Sequence, residues 1–245
     1  MTSPINIAVI NESTAVTDDE VKNVMAACQI QLDRDYYPIW AATSTMTFVD
    51  KTQPIPAGFW SIVILDNSDA AGALGYHDLT QEGMPLAKVF AGDDKKYGLE
   101  WSVTFSHELL EMMADPDINL TVFVPTQTGG EIFAYENCDA VEDDSLAYDI
   151  NGVKVSDFVT PAWFNIYAVP GTKFDFCGHV TQPFQILSGG YIGVLDISNL
   201  AQGWTQIQAK SVIPARTLMA KQINHTEMRP RLIQRSKTAL VRSVK

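Results

Sequence analysis

The hydrophobic positions in the first half of the chain follow two rhythms. The run "INIAVIN" is short, continuous and rich in Ile and Val, which predicts a buried strand. From Thr17 the spacing turns helical: Val21, Val24, Met25, Cys28 and Leu32 fall on one face, and Thr17 with Glu20 forms a capping box. Pro38 closes that segment, so the pattern predicts a helix over 17–37. "TSTMTFVD" alternates as a strand, "FWSIVILDNSD" reads as another, and "GALGYHDL" with "PLAKVFAG" predicts a strand pair or an extended edge. A second helix follows in "WSVTFSHELLEMMADPD", and Pro116 stops it. This order of strands and helices predicts an α+β fold.

From residue 120 the pattern changes. Residues 120–205 are rich in Gly, Pro and aromatics, with short β-type runs "TVFVP", "EIFAYE", "KVSDFVT" and "GGYIGVLDIS". No convincing helical period returns before Ala215. The chain therefore divides into an α+β part over 1–119, a β-rich part over 120–214 and a basic tail over 215–245.

The second helix is apolar yet carries a histidine and three acids. At about 100° per residue from His107, Glu111 falls at about 40°, Thr104 at about 60°, Asp115 at about 80° and Glu108 at about 100°. Phe105, Leu109, Leu110, Met112 and Met113 fill the rest of the surface. One polar stripe on an otherwise greasy helix predicts a stripe that lines a site. Within it, His107-Glu108-x-x-Glu111 is a variant of the H-E-x-x-H zinc helix. There the first and fifth residues sit one turn apart and bind one ion, and the intervening glutamate takes a proton from water. A carboxylate at the fifth position keeps the reach and hardens the donor set. Zinc comes first for such a set, and calcium, manganese or ferrous iron also suit it.

A third ligand has candidates in "GGEIFAYENCDAVEDD", which offers Glu131, Glu136, Asp139 and Glu142. A solvated acidic loop accounts for the same run equally well. "DPDIN" resembles the start of a calcium loop, but Leu120 stands where that loop needs glycine, which argues against an EF-hand.

"SHELLEMMADPD", followed some way downstream by "GGE" and "ENCD", resembles a group of bacterial, fungal and phage proteins carrying H-E-L-x-E-x-x-x-D-P and then E-x-x-D. Many of that group are regarded as metallopeptidases of zincin type. The stretches "WSIVILDNSDAAGALGYHDLTQEGMPLAKVF", "VSDFVTPAWF" and "GGYIGVLD" are similar to the versions carried by tailed phages and prophages, so the likeness spans most of residues 55–205. The resemblance implies a zincin-like mixed sheet with an active-site helix, followed by a β-rich C-terminal part. It implies His107 and Glu111 as ligands of one divalent ion and Glu108 as the catalytic base. It makes Glu136 the third ligand, with Asp139 orienting or replacing it.

Charge narrows the function classes further. The formal net charge is −12, but residues 221–245 hold seven Lys/Arg against one Glu, a net +6, which leaves −18 for residues 1–220. A body of that sign repels nucleic acid and anionic membranes. The tail has no aromatic residue for base stacking and reads as a flexible or partner-docked extension, suited to virion subunits or another acidic surface. No apolar run reaches membrane-spanning length, and the N-terminus has no signal-peptide pattern, so synthesis in the cytoplasm is expected, with virion association open. Three cysteines without metal-type spacing argue against a disulfide framework.

His77 and His179 read mainly as packed or surface histidines, with an oxyanion-donor role as the lesser alternative. His225 is assigned nothing, and Tyr191 reads as a core tyrosine sooner than a cleft hydroxyl. No serine-hydrolase or nucleotide-binding motif is present. Two function classes remain: a metal-dependent peptidase acting on peptide or protein substrates, and a non-catalytic virion or assembly protein that keeps the zincin-like fold. Glu108 favours the first, and the phage-like context with its basic tail favours the second.

Overall fold

The computed structural model describes residues 5–70, 72–127, 129–169 and 171–209. The basic tail, expected to be flexible or to dock on a partner, the region from Ala215 and His225 lie outside the described residues. Five strands make the first sheet: β1 (Ile5–Asn11), β2 (Ser44–Phe48), β3 (Trp60–Leu65), β4 (Gly75–Leu79) and β5 (Pro85–Phe90). Their order is β2-β1-β3-β5-β4, with β4 at the edge and antiparallel to β5, and the other pairings parallel. Side chains alternate across the sheet as the pleat requires. Ile7, Val9, Ile62, Ile64, Ala87 and Val89 join the main core, while Ala8, Ile10 and Val49 form a smaller cluster.

The first helix, α1 (Asp18–Ile30), starts where its capping box predicts. Glu20 N donates to Thr17 Oγ1 at 3.2 Å, and Thr17 N donates to Glu20 Oε2 at 2.7 Å. Val21, Val24, Met25, Cys28 and Leu32 are buried in the main core, so the helical phase is the one the sequence indicates. Pro38 does not end the helical run. A π-helical turn spans Gln31–Tyr36, and a new α-turn, α2 (Tyr37–Trp40), takes Pro38 in its first positions. Proline is tolerated there because a first-turn N–H has no intrahelical partner to lose. The run stops at Ala41, whose φ is +53°.

Two further helices follow β5. The short α3 (Ala91–Tyr97), absent from the sequence reading, is closed by Gly98 at φ +71°. Then comes α4 (Trp101–Ala114), the helix of the polar stripe.

Beyond α4 the chain is β-rich, as its composition indicates. β6 (Thr121–Thr126) and β7 (Gly129–Ala134) belong to a four-stranded antiparallel sheet in the order β11-β10-β7-β6. β8 (Tyr148–Ile150) and β9 (Val153–Val155) form a separate hairpin. β10 (Tyr191–Asp196) and β11 (Trp204–Gln208) complete the antiparallel sheet. The run "KVSDFVT" is strand only at its start; Val159 then makes an isolated bridge to Asp175.

These layers explain the sequence of α4. It packs against β4 and β5 on one side and β9 on another, so Trp101 through Met113 are all buried. A helix covered on more than one side must be apolar nearly all round. Tyr36 ties the covering segment down, donating from its hydroxyl to Leu110 O at 3.0 Å and accepting from Asn137 Nδ2 at 2.9 Å. The molecule is a mixed α+β protein with its polar stripe inside.

Candidate metal centre

Burial is the first surprise of the stripe. His107, Glu108 and Glu111 are each 4% exposed or less, although removing one partner from a buried ion pair costs about 3–5 kcal/mol. What they face comes from two other elements. β4 brings His77, fully buried, onto the stripe. The segment after β7 brings Glu136 and Asp139, and a 3-10 turn over Asp139–Val141 turns Glu142 back toward the same space.

The distances divide this space into two adjoining halves. In one, His107 Nε2 lies 3.3 Å from Glu111 Oε2 and 3.4 Å from Asp139 Oδ1, and donor atoms of His107, Asp139 and Glu142 all lie within 4.8 Å of one another. In the other, His77 Nδ1 lies 3.7 Å from Glu111 Oε2 and 3.6 Å from Glu108 Oε2, while His77 Nε2 lies 3.8 Å from Glu136 Oε2. Glu111 Oε2 therefore stands between two imidazoles. Among the described residues neither this atom nor His107 Nδ1 has a hydrogen-bond partner, although both are buried. The other Glu111 oxygen is fixed by the Cys138 amide, which donates to it at 3.3 Å.

Backbone geometry makes the close approach possible. A Cβ on Gly75 would stand 2.8 Å from Glu108 Cγ and Thr104 Cγ2, so a glycine in β4 is what lets the strand lie on the stripe. A Cβ on Gly190 would stand 2.8 Å from Asp139 O, so β10 can back the 3-10 turn only with glycine there. A buried relay fixes α4 from behind: Ser106 Oγ donates to Gln31 Oε1 at 2.7 Å and accepts from Ser156 N at 3.0 Å, and Gln31 Nε2 donates to Ser156 O at 2.9 Å. Gln31 opens the π-helical turn, which ties that irregularity to the positioning of α4.

The electrostatics follow from depth and neighbours. Burial works against a charged His107 ring, yet Glu111, Asp139 and Glu108 outweigh it and hold the imidazole well above its ordinary value of 6.5. Glu111 is pushed up from 4.5, first by burial and then by the facing Asp139. Five carboxylates and two imidazoles share one space, a crowding of acids that favours bound protons or a cation.

The structure brings together His107, Glu108, Glu111, Glu136, Asp139 and Glu142. The acid beside His107 is Asp139, whereas Glu136 sits beside His77. Glu131 pairs opposite Asp196 and Val124 within the antiparallel sheet, away from this set. Asp115, the stripe's last member, turns aside to cap the loop, accepting from Asn119 N at 3.0 Å and Leu120 N at 2.9 Å. The sequence reads His77 as packed or surface; it is packed, and packed into this centre. Its signal in the sequence was weak, a glycine two positions earlier in a strand, which marks a close backbone approach. His179 lies elsewhere, beside Asp157 at 3.2 Å.

No family model matches the chain, and no curated protein matches it.

Proposed function

We propose that the chain is a metal-dependent peptidase of zincin type, with one divalent ion held by His107 Nε2, Glu111 Oε2 and Asp139 Oδ1. The observation that carries the reading is the pair of distances at His107, 3.3 Å to Glu111 and 3.4 Å to Asp139. Ligand atoms about 2.0–2.2 Å from a tetrahedral ion stand roughly 3.3–3.6 Å apart, so each of these two separations fits one edge of such a site. The first sheet with α4 packed on β4 and β5 agrees with a mixed sheet over an active-site helix.

Bound there, a divalent cation would polarise a scissile carbonyl and bring the pKa of water toward neutrality. The chain's own groups do the rest. Glu108 accepts the proton of the attacking water and returns it to the leaving amine. His77 Nδ1, 3.6 Å from Glu108 Oε2, steadies that carboxylate, and Gly75 leaves room for it.

One observation favours the second reading, a structural ion in a non-catalytic virion or assembly protein. His107, Glu111 and Asp139 are all buried, and structural sites are closed where catalytic ones keep an open position. Glu108→Gln separates the two. The peptidase reading expects loss of cleavage of an unstructured protein substrate by about a hundredfold or more, with metal content kept. A wild-type protein that binds metal and cleaves nothing would leave the structural reading in its place.

A further inference from the structure

A second set of metal-type donors lies outside the α4 centre, and no step proposed above uses it. It is built from two segments that the Val159–Asp175 bridge holds side by side. One supplies Asp157. The other supplies Asp175, Cys177 and His179, a D-x-C-x-H spacing. The Asp157 carboxylate, Cys177 Sγ and a His179 ring nitrogen lie within 4.8 Å of one another. His179 Nδ1 lies 3.2 Å from Asp157 Oδ2 and 3.7 Å from Asp175 Oδ2. Both separations match an edge of a tetrahedron of ligands about 2.0–2.3 Å from a zinc-sized ion.

Both carboxylates are anchored by backbone amides. Asp157 Oδ1 accepts from Phe158 N at 2.8 Å and Cys177 N at 3.1 Å, which leaves Oδ2 turned to His179. Asp175 accepts from Val180 N at 2.9 Å through Oδ1 and from His179 N at 2.7 Å through Oδ2. Both aspartates are fully buried, whereas Cys177 and His179 keep a solvent-facing side. Oδ2 of each aspartate faces the His179 ring. A thiol, an imidazole and two carboxylates also present the mixed donor set that Zn²⁺ takes.

We propose that Asp157, Asp175, Cys177 and His179 form a second, zinc-type cation site that clamps the segment around residues 175–179 to the segment around residues 157–159.

The test uses the full chain stripped of metal by a chelator. Titration with Co²⁺ should produce a cobalt–thiolate charge-transfer band in the near ultraviolet. Cys177→Ser should remove that band, and His107→Gln should leave it, which separates this site from the α4 centre. Cys28 and Cys138 are buried, so alkylation of the native wild-type protein reads Cys177. Saturating Zn²⁺ should slow that alkylation about tenfold or more. Absence of the band in the wild type, its survival in Cys177→Ser, or an alkylation rate unchanged by zinc would overturn the proposal. The alkylation arm decides the matter should Cys177→Ser fail to fold.

Discussion

At the residue scale the account turns on Glu111, a carboxylate with one oxygen held by an amide and the other placed between two imidazoles. Its folded pKa is raised above 4.5, so its contribution to stability is present below that value and is lost as pH rises through the folded pKa. His107, raised above 6.5, acts in the same direction, contributing below that value and losing its contribution as pH rises through its own folded pKa. The chelator-treated protein should therefore melt at progressively lower temperature from about pH 5 upward, and a saturating divalent ion should remove or reverse that trend because it competes with protons. Melting curves with and without Zn²⁺ across that range check it; parallel pH trends in both would contradict it. Gly75 gives a second residue-scale prediction. Gly75→Ala forces Glu108 or Thr104 to move from a 2.8 Å clash and should cost about 1–3 kcal/mol, measured by urea unfolding. Peptidase activity should fall further than stability alone explains.

At the element scale the helices show what sequence can and cannot tell. α1 was legible because its capping box and apolar face are local signals, and both arms of the box form. Its end was not: Pro38 reads as a stop, yet the π-helical turn resets the register and makes it a first-turn residue. α3 is too short for a helical period, and only Gly98 hinted at it. The stripe on α4 was legible as a buried site because apolar residues surround it in sequence as in space. Its partner His77 was not, since the contact arises only after β4 pairs with β5 and is laid on α4. Which acid lies beside His107, Asp139 and not Glu136, was likewise set by a 3-10 turn with no strong local signature. Two substitutions test the packing of α4. Leu109→Ala, at a fully buried position, should cost roughly 2–5 kcal/mol, and a change below about half a kcal/mol would contradict its core placement. Ser106→Ala leaves Gln31 Oε1 and Ser156 N without their shared hydroxyl and should cost about 1–3 kcal/mol, read in the same unfolding assay.

At the scale of the whole molecule, the chain is a mixed α+β protein in which the segment following β7 closes over the stripe of α4. The composition of both halves was readable: alternating and continuous apolar runs in the first, Gly- and aromatic-rich β runs in the second. How the second half completes the centre was not, because Glu136, Asp139 and Glu142 reach it through tertiary packing against α4 and β10. Charge belongs to this scale too. A body carrying −18 draws divalent cations electrostatically, and it concentrates five of its acids around two histidines. The most direct measurement is metal analysis of the chain purified without a histidine tag or chelator, beside the His107→Gln, Glu111→Gln double variant. The account predicts one ion fewer per chain in the double variant, with the folded state retained when judged by circular dichroism; equal metal content in the two proteins would contradict it.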